Sequence, residues 1–483
     1  MIHEATSSKA WSVDGTTFSY RGSLGTGLRL GGFVSLATPG GDELGQVLSQ
    51  EVDEADGGRF VAGHGRLVDS ARAPVPFAEA TVTAAAADEV QTLLASTTAP
   101  LQVGTLRTED GIPALLDAGG FNRHTFLCGQ SGSGKTYSLG ALLEQLVLHT
   151  RLPLLVLDPN GDHVHLGRPR DDIDPTIAEA YAAAADDVRV LHTVTEGDAA
   201  PLRVRFSELG IAGTAAILQL APVADREEYN AVLHFLDATP ETRFRSVTEV
   251  FQAFAGNGEP VLDAVRQRGE NLGIDRMTAW AGPDARTVSE VWTQDRPRAI
   301  IADSSGFEER RERIAVAVAV LRQLWARREE RRPLLLVVDE AHDVCPADPS
   351  DELQRLAVEL FSRIAGEGRK YGIHLLLASQ RPDKLPDNVL SQCDNLLLMR
   401  VNSAADRAAL AQRFGFAPPG LVELSGTFGL GEWLAAGKVA PVPLLARTGS
   451  RLTLEGGADV STDWATGSSA DQAQSNEAQP WSS

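Results

Sequence analysis

Gly129-Gln130-Ser131-Gly132-Ser133-Gly134-Lys135-Thr136 decides how this chain folds. The stretch matches G-x-x-x-x-G-K-[ST], and its frame is correct: an apolar strand, Thr125–Cys128, runs in and a helical pattern, Tyr137–Leu148, runs out. Gly129, Gly132 and Gly134 let the backbone wrap closely, so that its N–H groups point at phosphate oxygens. The start of the following helix adds partial positive charge. Lys135 brings a point charge to the β- and γ-phosphates, and Thr136 offers a hydroxyl to Mg2+. All eight residues, Gln130, Ser131 and Ser133 included, are therefore expected to bind ATP. A glycine-rich turn that binds nothing is set aside because the motif is complete and correctly framed.

Roughly 200 residues further on, Leu334-Leu-Leu-Val-Val-Asp339-Glu340-Ala-His342-Asp343 delivers two carboxylates at the end of a second apolar strand. Open α/β sheets bind ligands at that end of their strands. Asp339 is expected to hold the magnesium shell, and Glu340 to orient and polarise the attacking water. A small-molecule kinase has no use for such a glutamate. His342 completes a D-E-A-H string, but the companion motifs of the RNA helicases so named are not evident, and the sheet is expected to close soon after residue 401. The strand His374–Ala378 leads into Ser379-Gln380-Arg381-Pro382, which sets Gln380 at a strand end as a polar sensor of the γ-phosphate.

Around these motifs, apolar runs alternate with amphipathic helices from about residue 100 onward, the signature of a mostly parallel sheet covered on both faces. His124–Cys128, Pro153–Leu157, Ala299–Ala302, Leu334–Val338, His374–Ala378 and Leu396–Val401 read as its strands. The expected organisation is a small β-barrel or sandwich over 1–100, a first part of the ATPase core over 101–170, a mainly helical insertion over 171–295, a second part of the core over 296–456, and a disordered tail over 457–483 rich in Gly, Ser, Ala, Gln and Asp.

The net charge of −21 argues against a uniformly basic nucleic-acid binder, though not against a ring with a locally basic channel. The arginine-rich runs Arg310–Arg313 and Arg327–Arg332 are interleaved with Glu and read as solvated helix faces. No apolar run approaches the ~20 residues that span a bilayer. The three cysteines, Cys128, Cys345 and Cys393, lack metal-ligand spacing and read as buried thiols. No signal peptide pattern is present, and the expected location is cytoplasmic, without a membrane partner.

Taken together, these stretches resemble the HerA branch of the HerA–FtsK DNA-pumping ATPases over roughly residues 100–450. The resemblance is carried by Asn122-Arg123-His124 ahead of the phosphate loop and by Leu157-Asp158-Pro159-Asn160-Gly161-Asp162. It is carried further by Val338–His342, by Glu367-Gly368-Arg369-Lys370-Tyr371-Gly372, and by Ser379–Pro382 with Leu385-Pro386. It implies an α/β fold, a RecA-like ASCE P-loop ATPase domain with a helical insertion, preceded by a small β-barrel. It implies ATP and Mg2+ as cofactors and Asp158 at the ATP site. It also implies a homohexameric ring that translocates double-stranded DNA, with ATP between subunits and an arginine reaching the γ-phosphate from the neighbour. Arg123 and Arg369 match the pattern; Arg123 is expected to act in trans and Arg369 to lie nearer its own site. The family often ends the second-strand motif in Glu, whereas Asp162 stands here. Relatives work with a nuclease in DNA repair or with an effector in phage defence, so a nuclease or defence effector is an expected partner, docked on the barrel. Candidate DNA-facing residues lie near Arg381–Lys384 or in the insertion. Two other readings keep the ATPase: a conjugation- or secretion-type motor, and a nucleotide-switched scaffold that assembles a partner enzyme.

Overall fold

The computed structural model describes residues 8–55, 58–68, 74–194, 199–240 and 244–456. The expected tail over 457–483 lies outside the described residues. Six antiparallel strands close a barrel in the order β1-β2-β5-β4-β3-β6: β1 (Ser8–Ser12), β2 (Thr17–Ser23), β3 (Phe33–Thr38), β4 (Gly41–Ala55), β5 (Gly58–Leu67) and β6 (Phe77–Ala84). Its interior is small and partly aromatic, built on Phe18, Tyr20 and Phe77 together with Val34, Leu36 and Val47. Gln46 ties it to the rest of the chain by donating to the carbonyls of Gly31, at 3.0 Å, and Pro443, at 2.6 Å.

Everything else is organised by one sheet of twelve strands. These are β7 (Pro100–Leu106), β8 (Pro113–Asp117), β9 (His124–Cys128), β10 (Leu154–Asp158), β11 (Val188–His192), β12 (Ala200–Pro201), β13 (Ala299–Asp303), β14 (Leu334–Val338), β15 (Ile373–Ser379), β16 (Cys393–Leu398), β17 (Glu432–Gly437) and β18 (Leu444–Thr448). The order is β12-β11-β13-β10-β14-β15-β9-β16-β17-β18-β7-β8, parallel from β12 to β16 and antiparallel beyond. The unbroken apolar runs follow from burial on both faces. Along β9, Phe126 and Cys128 enter one core and Leu127 the other, and Leu155 and Val156 divide in the same way along β10.

The structure departs from the sequence expectations in three ways. The sheet does not close near residue 401: β17 and β18 follow, and β7 and β8 from ahead of the phosphate loop complete the edge. The last parallel strand is Cys393–Leu398 rather than Leu396–Val401, because Cys393 and Asn395 already pair with the start of β9. The stretch 171–295 is mainly helical but also contributes β11 and β12, whose short and partly polar sequences carry little strand signal. All three cysteines are free and buried. Among the described residues, no helix is long and apolar enough to cross a membrane. The arginine-rich runs are engaged with acids, Arg327 with Glu330 at 2.7 Å and Arg332 with the same residue at 3.2 Å.

Candidate functional site: a phosphate loop facing two carboxylates

The loop after β9 is fixed by backbone and side-chain hydrogen bonds from the segments that follow β16 and precede β17. Gln130 donates its N–H to the Arg400 carbonyl at 3.0 Å and accepts the Asn402 N–H on Oε1 at 3.1 Å. Arg400 Nη2 donates to the Gly132 carbonyl at 2.8 Å, and the Gly431 N–H donates to the Ser133 carbonyl at 2.9 Å. Gly134 caps the helix Lys135–His149 with φ of 88°, and a Cβ there would lie 3.2 Å from the Gly431 nitrogen. Only glycine satisfies both the left-handed backbone and the close approach. The loop opens onto a cavity of about 1040 Å³ whose wall includes Ser131, Gly132, Lys135, Thr136, Asp162 and Gln380.

Asp339 and Glu340 enter at the end of β14, which is separated from β9 by β15 alone. Lys135 Nζ lies 2.5 Å from Asp339 Oδ1 and 3.1 Å from Glu340 Oε1, with all three side chains buried or nearly so. Gln380, at the end of the intervening β15, donates from Nε2 to Glu340 Oε1 at 2.7 Å. Glu340 itself sits in the left-handed region, with φ of 44°. A non-glycine residue held there costs about 1–3 kcal/mol, a strain that surrounding structure must over-determine. His342 shares a hydrogen bond with Ser379 at 3.2 Å, so the D-E-A-H string braces β14 against β15. Burial raises the Asp339 pKa, but Lys135 and the His163 ring, 3.7 Å from Oδ2, outweigh it and hold the carboxyl well below the usual range. For Lys135, burial disfavours the charge, and Asp339 and Glu340 more than restore it, so its pKa is raised.

Two expected site residues, Asp158 and Arg369, stand elsewhere than the sequence suggested. Asp158 does not line the cavity. Its buried carboxylate accepts the backbone N–H groups of Asn160, Gly161, Asp162 and His163 at 2.8–3.3 Å, and so shapes the loop after β10. Asp162 is the carboxylate that this loop turns into the cavity; burial, then repulsion from Asp158 and Asp339, pushes its pKa up to about 6. Arg369 is not near its own nucleotide site. It meets Asp394 at 2.5 Å, and Arg123 meets the same carboxylate at 3.4 Å, at the starting ends of β15, β9 and β16. The phosphate loop leaves the opposite end of β9. Five residues of strand separate the two ends, roughly 17 Å at the usual rise. Both arginines therefore sit beyond reach of their own chain's phosphate loop. His124 is structural: it accepts the Leu375 N–H on Nδ1 at 3.0 Å and reaches the Ala365 carbonyl through Nε2 at 3.0 Å.

Sequence reasoning missed Arg400, Leu430, Arg447 and the stretch after β18. Arg400 had a signal, since it directly follows an apolar run that pairs with the phosphate-loop strand. The others lie more than 290 residues after the loop, in segments without a motif.

The acidic pair suits magnesium. It already holds one cation, the Lys135 ammonium, while Asp339 Oδ2 and Glu340 Oε2 are buried without a hydrogen-bond partner. Mg2+ takes few protein ligands and completes its shell with water and substrate phosphates. Thr136 and Asp339 are the residues that would hold it.

A phosphate loop, an acidic pair two strands away and a polar residue ending the strand between them define an ATP-hydrolysing P-loop enzyme of the RecA-like ASCE kind. The family model "Helicase HerA, central domain" matches residues 101–259, and that of the ATPase family associated with various cellular activities matches 288–401. The chain is 22% identical over 419 residues to the DNA double-strand break repair helicase HerA of Pyrococcus furiosus, covering 72% of this chain and 69% of that protein. It is 28% identical over 142 residues to the protein of the same name from Sulfolobus acidocaldarius, covering 28% of each. Among solved structures, VirB4 of Thermoanaerobacter pseudethanolicus shares the fold, with a TM-score of 0.50 at 18% identity over 73% of this chain and 97% of that one. Over these stretches the chain is similar to the HerA-like ATPases.

Proposed function

We propose that this chain works as a homohexameric ring that hydrolyses ATP at its subunit interfaces to move double-stranded DNA. A separate nuclease or defence effector would supply any cutting. The carrying observation is the division of the catalytic set. Lys135, Asp339, Glu340 and Gln380 converge in one chain, while Arg123 and Arg369 pair on Asp394 at the far end of the strands. In this reading the arginine that reaches the γ-phosphate comes from the neighbouring subunit, and an arginine finger is worth roughly 10³–10⁵ in rate in well-studied cases. The names of the Pyrococcus and Sulfolobus relatives support DNA as the track.

In this reading ATP seats its β- and γ-phosphates on the loop amides, and Lys135 turns from the acidic pair to the phosphates. Thr136 and Asp339 would hold Mg2+, which would supply neutralisation of the phosphate charge. Glu340, released from Lys135, orients the water and takes its proton. Gln380, already bonded to Glu340, holds that carboxylate and reports the γ-phosphate to β15. Asp158 sets the loop that carries Asp162. Arg381 and Lys384, exposed directly after Gln380, are the proposed link from hydrolysis to DNA.

The test is ATP turnover by the purified chain, with and without linear double-stranded DNA, across a salt titration. DNA stimulation that fades with salt supports the motor, since phosphate contacts are lost as counterions compete. Turnover indifferent to DNA overturns it in favour of a partner-controlled scaffold.

A further inference from the structure

The motif chemistry accounts for the triphosphate and says nothing of the nucleoside. The cavity continues past Tyr137 to Leu430, Gly431, Arg447 and the segment 448–450. Two side chains on that wall are largely solvent-exposed. Leu430 is 69% exposed, and its Cδ1 stands 3.4 Å from where a Cβ on Gly134 would be. Arg447 has a side chain 64% exposed, with Glu432, its nearest carboxylate, 4.0 Å away and already engaged by Arg107 at 3.1 Å.

The hairpin that presents both residues is locked to the phosphate loop. The Gly431 N–H donates to the Ser133 carbonyl and the Thr448 N–H to the Gly431 carbonyl, each at 2.9 Å, and Ser138 and Thr448 share a hydroxyl hydrogen bond at 2.7 Å. The chain then crosses the helix Lys135–His149 as a strap. Glu144 on that helix accepts from Arg451 Nε at 3.0 Å, from the Leu452 N–H at 2.7 Å, and from Thr453 through both its N–H, at 3.0 Å, and its hydroxyl, at 2.6 Å. Glu144 and Arg451 are each 1% exposed. Leu430 and Arg447 are thus held at a fixed offset from Lys135 by contacts that need no ligand.

We propose that Leu430 and Arg447 form the base subsite, with the nucleobase lying between an aliphatic face and a guanidinium plane. This rests on the phosphate-loop reading and deepens it. A guanidinium and an aliphatic side chain both engage the π-face of a ring, and every base has one. Such a subsite reads the area of the base rather than its edge. It takes purine nucleoside triphosphates, ATP and GTP with similar affinity, and pyrimidine ones less well.

The experiment is calorimetric binding of ATP, GTP, CTP and inorganic tripolyphosphate to the full chain carrying Glu340→Gln, which prevents turnover. Leu430→Ala and Arg447→Gln are compared in the same background; both sites are exposed, so folding is spared. The expected result is a loss of about two- to thirty-fold in ATP and GTP affinity for either variant, the range of a side chain packed on a ring face, with tripolyphosphate affinity unchanged. Unchanged ATP affinity alongside intact tripolyphosphate binding overturns the subsite and leaves the phosphate loop standing. Equal losses for ATP and tripolyphosphate overturn it also, since the residues would then be reading phosphate. A parent protein that binds neither ligand overturns the phosphate-loop reading and the subsite together.

Discussion

Replacing Lys135 by alanine is expected to do more than abolish nucleotide binding. In the nucleotide-free chain Lys135, 4% exposed, is the one cation within hydrogen-bonding distance of Asp339 and of Glu340 among the described residues. Removing one partner of a buried ion pair costs about 3–5 kcal/mol, because the remaining charge is left without compensation. Here two carboxylates lose the same cation, and they keep neutral or ring partners: the Gln380 amide and the His342 ring on Glu340, and the Glu340 N–H and the His163 ring on Asp339. At roughly 2 °C per kcal/mol for a large domain, the melting temperature of Lys135→Ala should fall by about 6–10 °C in metal-free buffer. Two further measurements separate this from ordinary packing loss. Millimolar Mg2+ should recover a large part of the fall by taking the place of the ammonium. Lys135→Ala with Glu340→Gln should melt higher than Lys135→Ala alone, since one of the stranded charges is gone. Coupling of this kind between touching residues reaches about 0.5–3 kcal/mol. A Lys135→Ala protein as stable as the parent, or a double variant no more stable than the single, would refute the argument that the acidic pair waits for substrate with Lys135 as its counter-ion.

Glu340→Gln keeps an acceptor for Gln380 and should retain ATP binding while turnover falls by about 10²–10⁴-fold, the usual worth of a general base; normal turnover would move the water-activating role to another residue. Mixing Arg123→Ala chains with Lys135→Ala chains should restore part of the ATPase activity that each lacks alone, and the Arg369→Ala mixture should behave alike, because both arginines sit on Asp394; no rescue for either would place the finger elsewhere. The buried His124 has its pKa lowered to about 3, chiefly by burial. The unfolded chain therefore takes up a proton near pH 6.5 that the folded chain refuses, and the stabilising contribution present above pH 6.5 is lost as the pH falls toward 3. This amounts to about 2 kcal/mol between pH 7 and pH 5. Denaturant titrations at the two pH values should show that slope reduced in His124→Gln, and an unchanged slope would assign it to other groups.

Within the site, legibility followed distance along the chain. Gly129–Thr136 and Asp339-Glu340 are contiguous, and each element's chemistry is written within ten residues, so spacing alone exposed them. Asp158 shows the limit. Its type and its position at a strand end fit a ligand of the nucleotide, yet four consecutive backbone N–H groups consume it, a fact of loop geometry with no sequence pattern. Arg369 shows another. The residue stands near the site in the order of motifs, but it precedes β15 whereas Gln380 follows it, so the length of the strand separates them.

By itself the sequence determined that this chain has a phosphate loop, a strand-borne acidic pair and a sheet buried on both faces, because burial period and motif chemistry are local properties. The tertiary structure alone decided the strand order that sets Gln380 between the two halves of the site and sends Arg123 and Arg369 to the far end. It alone returned β17, β18 and the strap held by Glu144 and Arg451 to the wall of the nucleotide cavity. Those choices are made by packing and hydrogen bonding between segments more than 300 residues apart, where many strand orders satisfy the same local pattern and one fills both cores.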